Sequence, residues 1–150
     1  MDEREAGFKS YITENFPDME VLETQYNDND ASKAASQVEA VLARTPDLAG
    51  IFGANVFSGI GAANGVRAAG ASGKVRVCAF DAPETLIADI AGGLVDLAIA
   101  QHPAEIGFFG VAAAVAAFNG QSIPPKIATG FTVLTAQNLN DPAIAKFIYK

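Results

Sequence analysis

Apolar positions along this chain change their spacing several times, and each change marks an element. Phe8, Ile12 and Phe16 recur at i, i+4 and i+8, one stripe of an amphipathic helix over residues 2–16, with Asp2 placed to cap its start. Pro17-Asp18 breaks the pattern. In residues 19–26 the apolar positions Met19, Val21 and Tyr26 are interrupted by charged neighbours, as expected of a half-exposed strand. Asn27-Asp28-Asn29-Asp30 is a turn and cap cluster. Ala34, Val38, Val41 and Leu42 then mark the buried stripe of a second helix that reaches about Arg44.

After Pro46 the apolar residues stop alternating and run together. The runs 48–55, 75–81 and 95–101 have strand length, and the stretches between them, about 57–71 and 83–92, have helix length. Helical connections of that size make consecutive strands parallel, with right-handed crossovers. The predicted fold class is therefore α/β: a doubly wound, mostly parallel sheet flanked by helices. Pro103 to Gly120 reads as a helix that is apolar nearly all round, through Ile106, Phe108, Phe109, Val111, Val115 and Phe118. Such a helix is buried on several sides or awaits a partner. A proline-containing loop over 121–126, a strand over 127–135, a turn at 138–141 and a short helix opened by Pro142 complete the chain.

Length and composition narrow the options. A chain of 150 residues, half of them hydrophobic and 18 % charged, buries enough surface for one ordinary domain and is too apolar for a disordered tail. The longest apolar run, Ile106 to Phe118, falls short of the roughly 20 residues a spanning helix needs. Ten bases against 17 acids give a net charge of −7, and the bases never cluster, so no footprint for nucleic acid is expected. Cys78 and His102 are each the single residue of their kind, too few for an internal disulfide or a zinc site. No metal and no cofactor is expected. The opening Met1-Asp2-Glu3-Arg4-Glu5 is charged and lacks a secretory pattern.

Candidate chemistry follows from the sheet. In open α/β sheets, ligands bind beyond the carboxyl ends of the strands. The expected strands end in Tyr26-Asn27-Asp28, in Asn55, in Asp81 and in Gln101, and Arg4 at the start of the first helix joins that rim. Carboxylate, guanidinium and amide groups together suit a small polyhydroxylated ligand. Polar strand ends and helix caps explain the same residues without a ligand. Gly59-Ile60-Gly61-Ala62-Ala63-Asn64-Gly65, with Asp81 beyond it, mimics a dinucleotide fingerprint. Its third glycine is one place late and its first lies inside a helix, so close packing is the better reading. His102, before Pro103, reads as a surface or hinge histidine, and Cys78 as a small core residue with an inert thiol. No triad or phosphate loop is present, so no enzyme is indicated and no catalytic residue is assigned.

The ordered set Arg4-Glu5-Ala6-Gly7-Phe8, Asn55 after an apolar strand, Ala79-Phe80-Asp81, Ile99-Ala100-Gln101-His102-Pro103 with Ile106-Gly107, and Thr129-Gly130-Phe131-Thr132 with Asn138 resembles the type I periplasmic sugar-binding proteins of ABC transporters, ribose-binding-like members above all. The resemblance implies an incomplete lobe of that fold. Residues 1–101 would be its sugar-binding C-terminal lobe without the first strand, and 102–150 a hinge crossing, apolar helix, returning strand and terminal helix. It implies Arg4, Asn55, Asp81 and Gln101 as sugar contacts. The family often has an aromatic near Asn29, for which Phe57 or Tyr26 is the substitute here. It further implies a monosaccharide or polyol ligand, an ABC permease as partner and a periplasmic location. The alternatives are an effector-binding domain of a LacI-type repressor, which shares the fold, and a dimerising remnant that binds no sugar.

By the same resemblance, a central strand would lie between 19–26 and 48–55. A sheet without it must close up by docking 19–26 on 48–55, insert its own 127–135 strand, or accept a strand from a second copy. The expected outcome is a homodimer with much of its interface on residues 103–135.

Overall fold

A computed structural model describes residues 2–148. Six helices and four strands follow in the order α1 (Asp2–Asn15), α2 (Ala31–Arg44), β1 (Gly50–Phe52), α3 (Val56–Ala68), β2 (Arg76–Phe80), α4 (Glu84–Ala91), β3 (Leu97–Gln101), α5 (Pro103–Phe118), β4 (Phe131–Thr135) and α6 (Pro142–Ala145). The sheet order is β1-β2-β3-β4. β1, β2 and β3 are parallel, and β4 returns antiparallel on β3 with Gln101 opposite Phe131. The mixed, mostly parallel sheet is the one the apolar runs predict, with each strand shortened at its ends.

Alternation along the strands shows how the sheet is covered. Val77, Ala79, Ala98, Ala100 and Leu134 are fully buried beneath α3 and α4, with Val66, Leu86 and Ile90 as the largest contributors from the helices. The opposite face, carrying Phe52, Cys78, Phe80 and Ile99, is half-buried. Burial pushes the Cys78 thiol up to about 11, with the charge of Asp96 adding to the effect. The glycines of α3 serve close approach, as expected. A Cβ on Gly59 would touch Ala79 of β2 at 3.0 Å, and one on Gly65 would stand 2.7 Å from the Ala35 carbonyl oxygen of α2. Helix α2 is capped by Asp30, whose carboxylate accepts from the Ser32 and Lys33 amides.

Three expectations need correction. Asp2 is the first helical residue of α1 and not its cap, and Phe16 lies just past the helix end. The stripe of α1 is shallow: none of its residues is buried, and Phe8 gains cover by stacking on Phe52 at 5.0 Å between ring centroids. Residues 19–26 form no strand. They run extended along a trough of about 860 Å³ that separates them from β1, lined by Phe8, Val21, Tyr26, Val38, Ile51 and Phe52 among others. A strand needs a ladder partner within hydrogen-bond reach, and residues 20–26 make no backbone–backbone bond among the described residues; side chains hold the segment instead. The Thr24 and Tyr26 hydroxyls donate to the Glu5 carboxylate at 2.7 and 3.1 Å, and the Gln37 amide donates to the Tyr26 carbonyl at 3.0 Å. The segment therefore does not close on β1, and β4 adds to the far edge of the sheet beside β3 and does not enter the trough.

Helix α5 starts at Pro103 as expected, ends at Phe118 two residues short of Gly120, and shows the expected need for cover. None of its residues is buried, and Phe108, Val111, Val115 and Phe118 are exposed, Phe118 at 92 %. No helix of the described residues is long and apolar enough to cross a membrane.

Candidate functional site

Parallel β1, β2 and β3 bring their carboxyl ends to one edge of the molecule, and the sequence places Asn55, Asp81 and Gln101 there. Each is half-buried. Gln101 closes β3 and donates from Nε2 to Asp81 Oδ1 at 2.6 Å. Asp81 sits just past β2 at φ 72, a left-handed conformation that costs a non-glycine residue energy and is held by the fold around it. The Asp81 amide donates to the Ile99 carbonyl at 2.9 Å, which fixes the turn in that conformation.

Arg4 reaches the same edge from the first turn of α1. Its Nη1 donates to the Ala54 carbonyl at 2.9 Å, and its guanidinium carbon lies 3.5 Å from the Phe80 ring centroid. Phe80 immediately precedes Asp81, so Arg4 links the end of β1 to the end of β2. Asn55 caps α3: Oδ1 accepts from the Ser58 amide at 2.8 Å, and Nδ2 donates to Asn29 Oδ1 at 2.7 Å. Arg4, Asn55, Asp81 and Gln101 are thus brought together on one rim: Asp81 pairs with Gln101, Asn55 pairs with Asn29, and Arg4 bridges the two from an aromatic face.

The two aromatic substitutes are less closely placed. Tyr26 and Phe57 are both exposed, and the Tyr26 hydroxyl is engaged with Glu5. That bond holds the tyrosine's ionisation up, while hydrogen bonds from Lys9, Thr24 and Tyr26 hold the Glu5 carboxyl down at about 2 against a smaller opposing effect of burial.

Sequence reasoning placed Asn27 at the end of the first expected strand and missed Asn29. Asn29 stands at φ 62, beside Asp28 at φ 54, and its Oδ1 accepts from Asn55 Nδ2. Asn27 is buried, donates to the Ser58 hydroxyl at 2.7 Å and accepts from the Asn29 amide. A run of Asn and Asp was legible as a turn, and the tolerance of these residues for left-handed backbone was the signal that one of them would be turned onto the rim. The dinucleotide reading fails on geometry. Asn55 occupies the cap of α3, and Gly59 and Gly61 are buried within the helix. Among the described residues, no three His, Cys, Asp or Glu side chains come together as a metal site.

Comparison with known proteins gives a consistent set. The family pattern described as periplasmic binding protein domain matches residues 1–122. A ribose import binding protein of Haemophilus influenzae is 32 % identical over 133 residues, covering 89 % of this chain and 44 % of its own length. A solute-binding protein of an ABC transporter from Agrobacterium vitis, solved with α-D-tagatopyranose, is 61 % identical with a TM-score of 0.94, covering 99 % of this chain and 50 % of that one. A second from the same organism, solved with D-fucose, is 29 % identical with a TM-score of 0.89, covering 96 % and 49 %. The chain spans about half the length of these relatives.

Proposed function

The chain belongs to the periplasmic binding protein domain family, and from that premise we propose that its rim recognises a small sugar or polyol as one lobe of the solute-binding component of an ABC importer, without chemical conversion. The observation that carries the reading is the set of strand-end groups themselves. Asp81, Gln101, Asn55, Asn29 and Arg4 gather acceptors and donors on one edge, Asp81 and Asn29 from left-handed backbone. Asp81 uses Oδ1 for Gln101, and its second carboxylate oxygen and the Gln101 carbonyl oxygen suit vicinal hydroxyls. Phe80 beneath Arg4 holds the guanidinium flat, as a planar donor to a ring oxygen or hydroxyl.

The transport reading is favoured over a repressor's effector domain because the relatives are sugar-binding components of transporters. Under it the chain works in the periplasm and presents its loaded form to a membrane permease. The chain alone leaves one face of a sugar in water, where hydrogen bonds gain little. Calorimetry with D-ribose, D-fucose and D-tagatose should therefore give constants no tighter than about millimolar, some 4 kcal/mol. In a protein that completes the site, Asp81→Ala should weaken binding at least roughly tenfold, from the 1.5–3 kcal/mol of a charged hydrogen bond. Unchanged affinity in that variant would overturn the assignment.

Copies of the chain alone pair through α5 and β4. What supports this is the apolar surface of Phe108, Val111, Val115, Phe118 and Phe131, which has no cover among the described residues. Light scattering should give twice the chain mass, reduced to a single chain by Phe108→Ser with Phe118→Ser. A monomeric parent would refute it.

A further inference from the structure

At the end of β3 the chain leaves the sheet and starts α5 at Pro103, and it comes back through Gly130 into β4. His102 sits between these two passages, its side chain 14 % exposed. This is not the surface histidine that the sequence allowed. Nδ1 lies 2.9 Å from Glu105 Oε1 and Nε2 lies 2.8 Å from Thr132 Oγ1. A ring that donates from Nδ1 and accepts the Thr132 hydroxyl satisfies all three groups at once. Its plane stacks on Phe147, centroids 3.9 Å apart and 7° from parallel. The other oxygen of Glu105 accepts the Gly130 amide at 2.9 Å.

Little else fixes α5. None of its residues is buried, and the Lys126–Glu3 pair near its return is 3.4 Å long with both side chains more than 80 % exposed. The neighbourhood of the histidine is close-packed: a Cβ on Gly130 would stand 2.6 Å from His102 Cε1. Only glycine lets the return passage lie against the ring.

We propose that His102, Glu105 and Phe147 form a clasp that sets the direction in which α5 leaves the sheet and makes the two passages at this edge move as one body. The histidine ties the start of α5 to β4 and to the C-terminal segment. Glu105 ties the first turn of α5 to the returning backbone. The Gly130 amide and His102 also hold the Glu105 carboxyl below its ordinary range, which agrees with a carboxylate engaged on both oxygens. The clasp goes beyond sugar recognition and does not depend on it.

The test uses the whole chain with Cys78→Ala and spin labels on Lys74→Cys and Asn119→Cys, diluted into unlabelled chain so that only distances within one copy are read by pulsed electron resonance. The parent should give one narrow distance distribution between the sheet end and the tip of α5. His102→Ala should broaden or shift it. Gly130→Ala should do the same without removing any clasp side chain, because the added methyl displaces the ring. Glu105→Ala, at an exposed side chain that folding does not need, should accelerate exchange of the Gly130 amide at least tenfold. It keeps the test decisive if His102→Ala loses helical signal. Unchanged distances in the Gly130 and Glu105 variants, with unchanged Gly130 exchange, would overturn the proposal.

Discussion

Helices α3 and α5 are written in nearly the same letters, glycine, alanine, valine and phenylalanine, yet α3 buries six residues and α5 buries none. Hydrophobicity points the wrong way, since α5 is the more apolar of the two. Shape separates them: the small residues of α3 face α2 on one side and β2 on the other, at distances where a methyl would collide. On α5, Gly107 and Gly110 have nothing within 4 Å of where a Cβ would stand. An apolar sequence asks for cover, and only a complementary surface supplies it.

The contrast can be broken at its strongest point by removing side chains. Leu86, fully buried against the α3 side of the sheet, should lose about 2–5 kcal/mol on Leu86→Ala, whereas Phe118→Ala should cost close to nothing in a dilute, unpaired chain. Urea denaturation followed by circular dichroism measures both. Equal losses would mean that α5 is covered in solution.

Adding a methyl sharpens the same comparison. Gly65→Ala must push α2 away from α3 and should destabilise by about 1–3 kcal/mol, more than the helix-propensity gain. Gly107→Ala meets open space and should stabilise by about 0.5–1 kcal/mol. Thermal melts of opposite sign are the expected result.

The smallest effect concerns α1, another helix without a buried residue, held by polar contacts. Glu5 is depressed from 4.5 to about 2 by its bonds from Lys9, Thr24 and Tyr26. Because the folded value is the lower one, this tether contributes above pH 4.5 and is lost as pH falls through about 2. Glu5→Gln should remove that part of the acid dependence, seen as a flatter melting-temperature profile between pH 5 and pH 2.

Much of this was legible before any coordinates. The uninterrupted apolar runs at 48–55, 75–81 and 95–101 told of parallel strands because strand and helix lengths alternate without ambiguity, and strand ends then located Arg4, Asn55, Asp81 and Gln101. Residues 19–26 misled because their alternation records a half-covered environment, which an unpaired extended segment beside a trough shares with an edge strand. His102 misled for the opposite reason. Of its partners only Glu105 is near in sequence, while Thr132 and Phe147, which cover the ring, lie 30 or more positions away.

One further property follows from the half-covered face of the sheet. A thiol held at about 11 leaves, at pH 7.5, roughly one Cys78 in several thousand as thiolate, and the thiolate is the reactive species. The rates of disulfide exchange and of peroxide attack at Cys78 fall with that fraction. Burial, helped by the charge of Asp96, thus slows the oxidation of the chain's single cysteine near neutral pH.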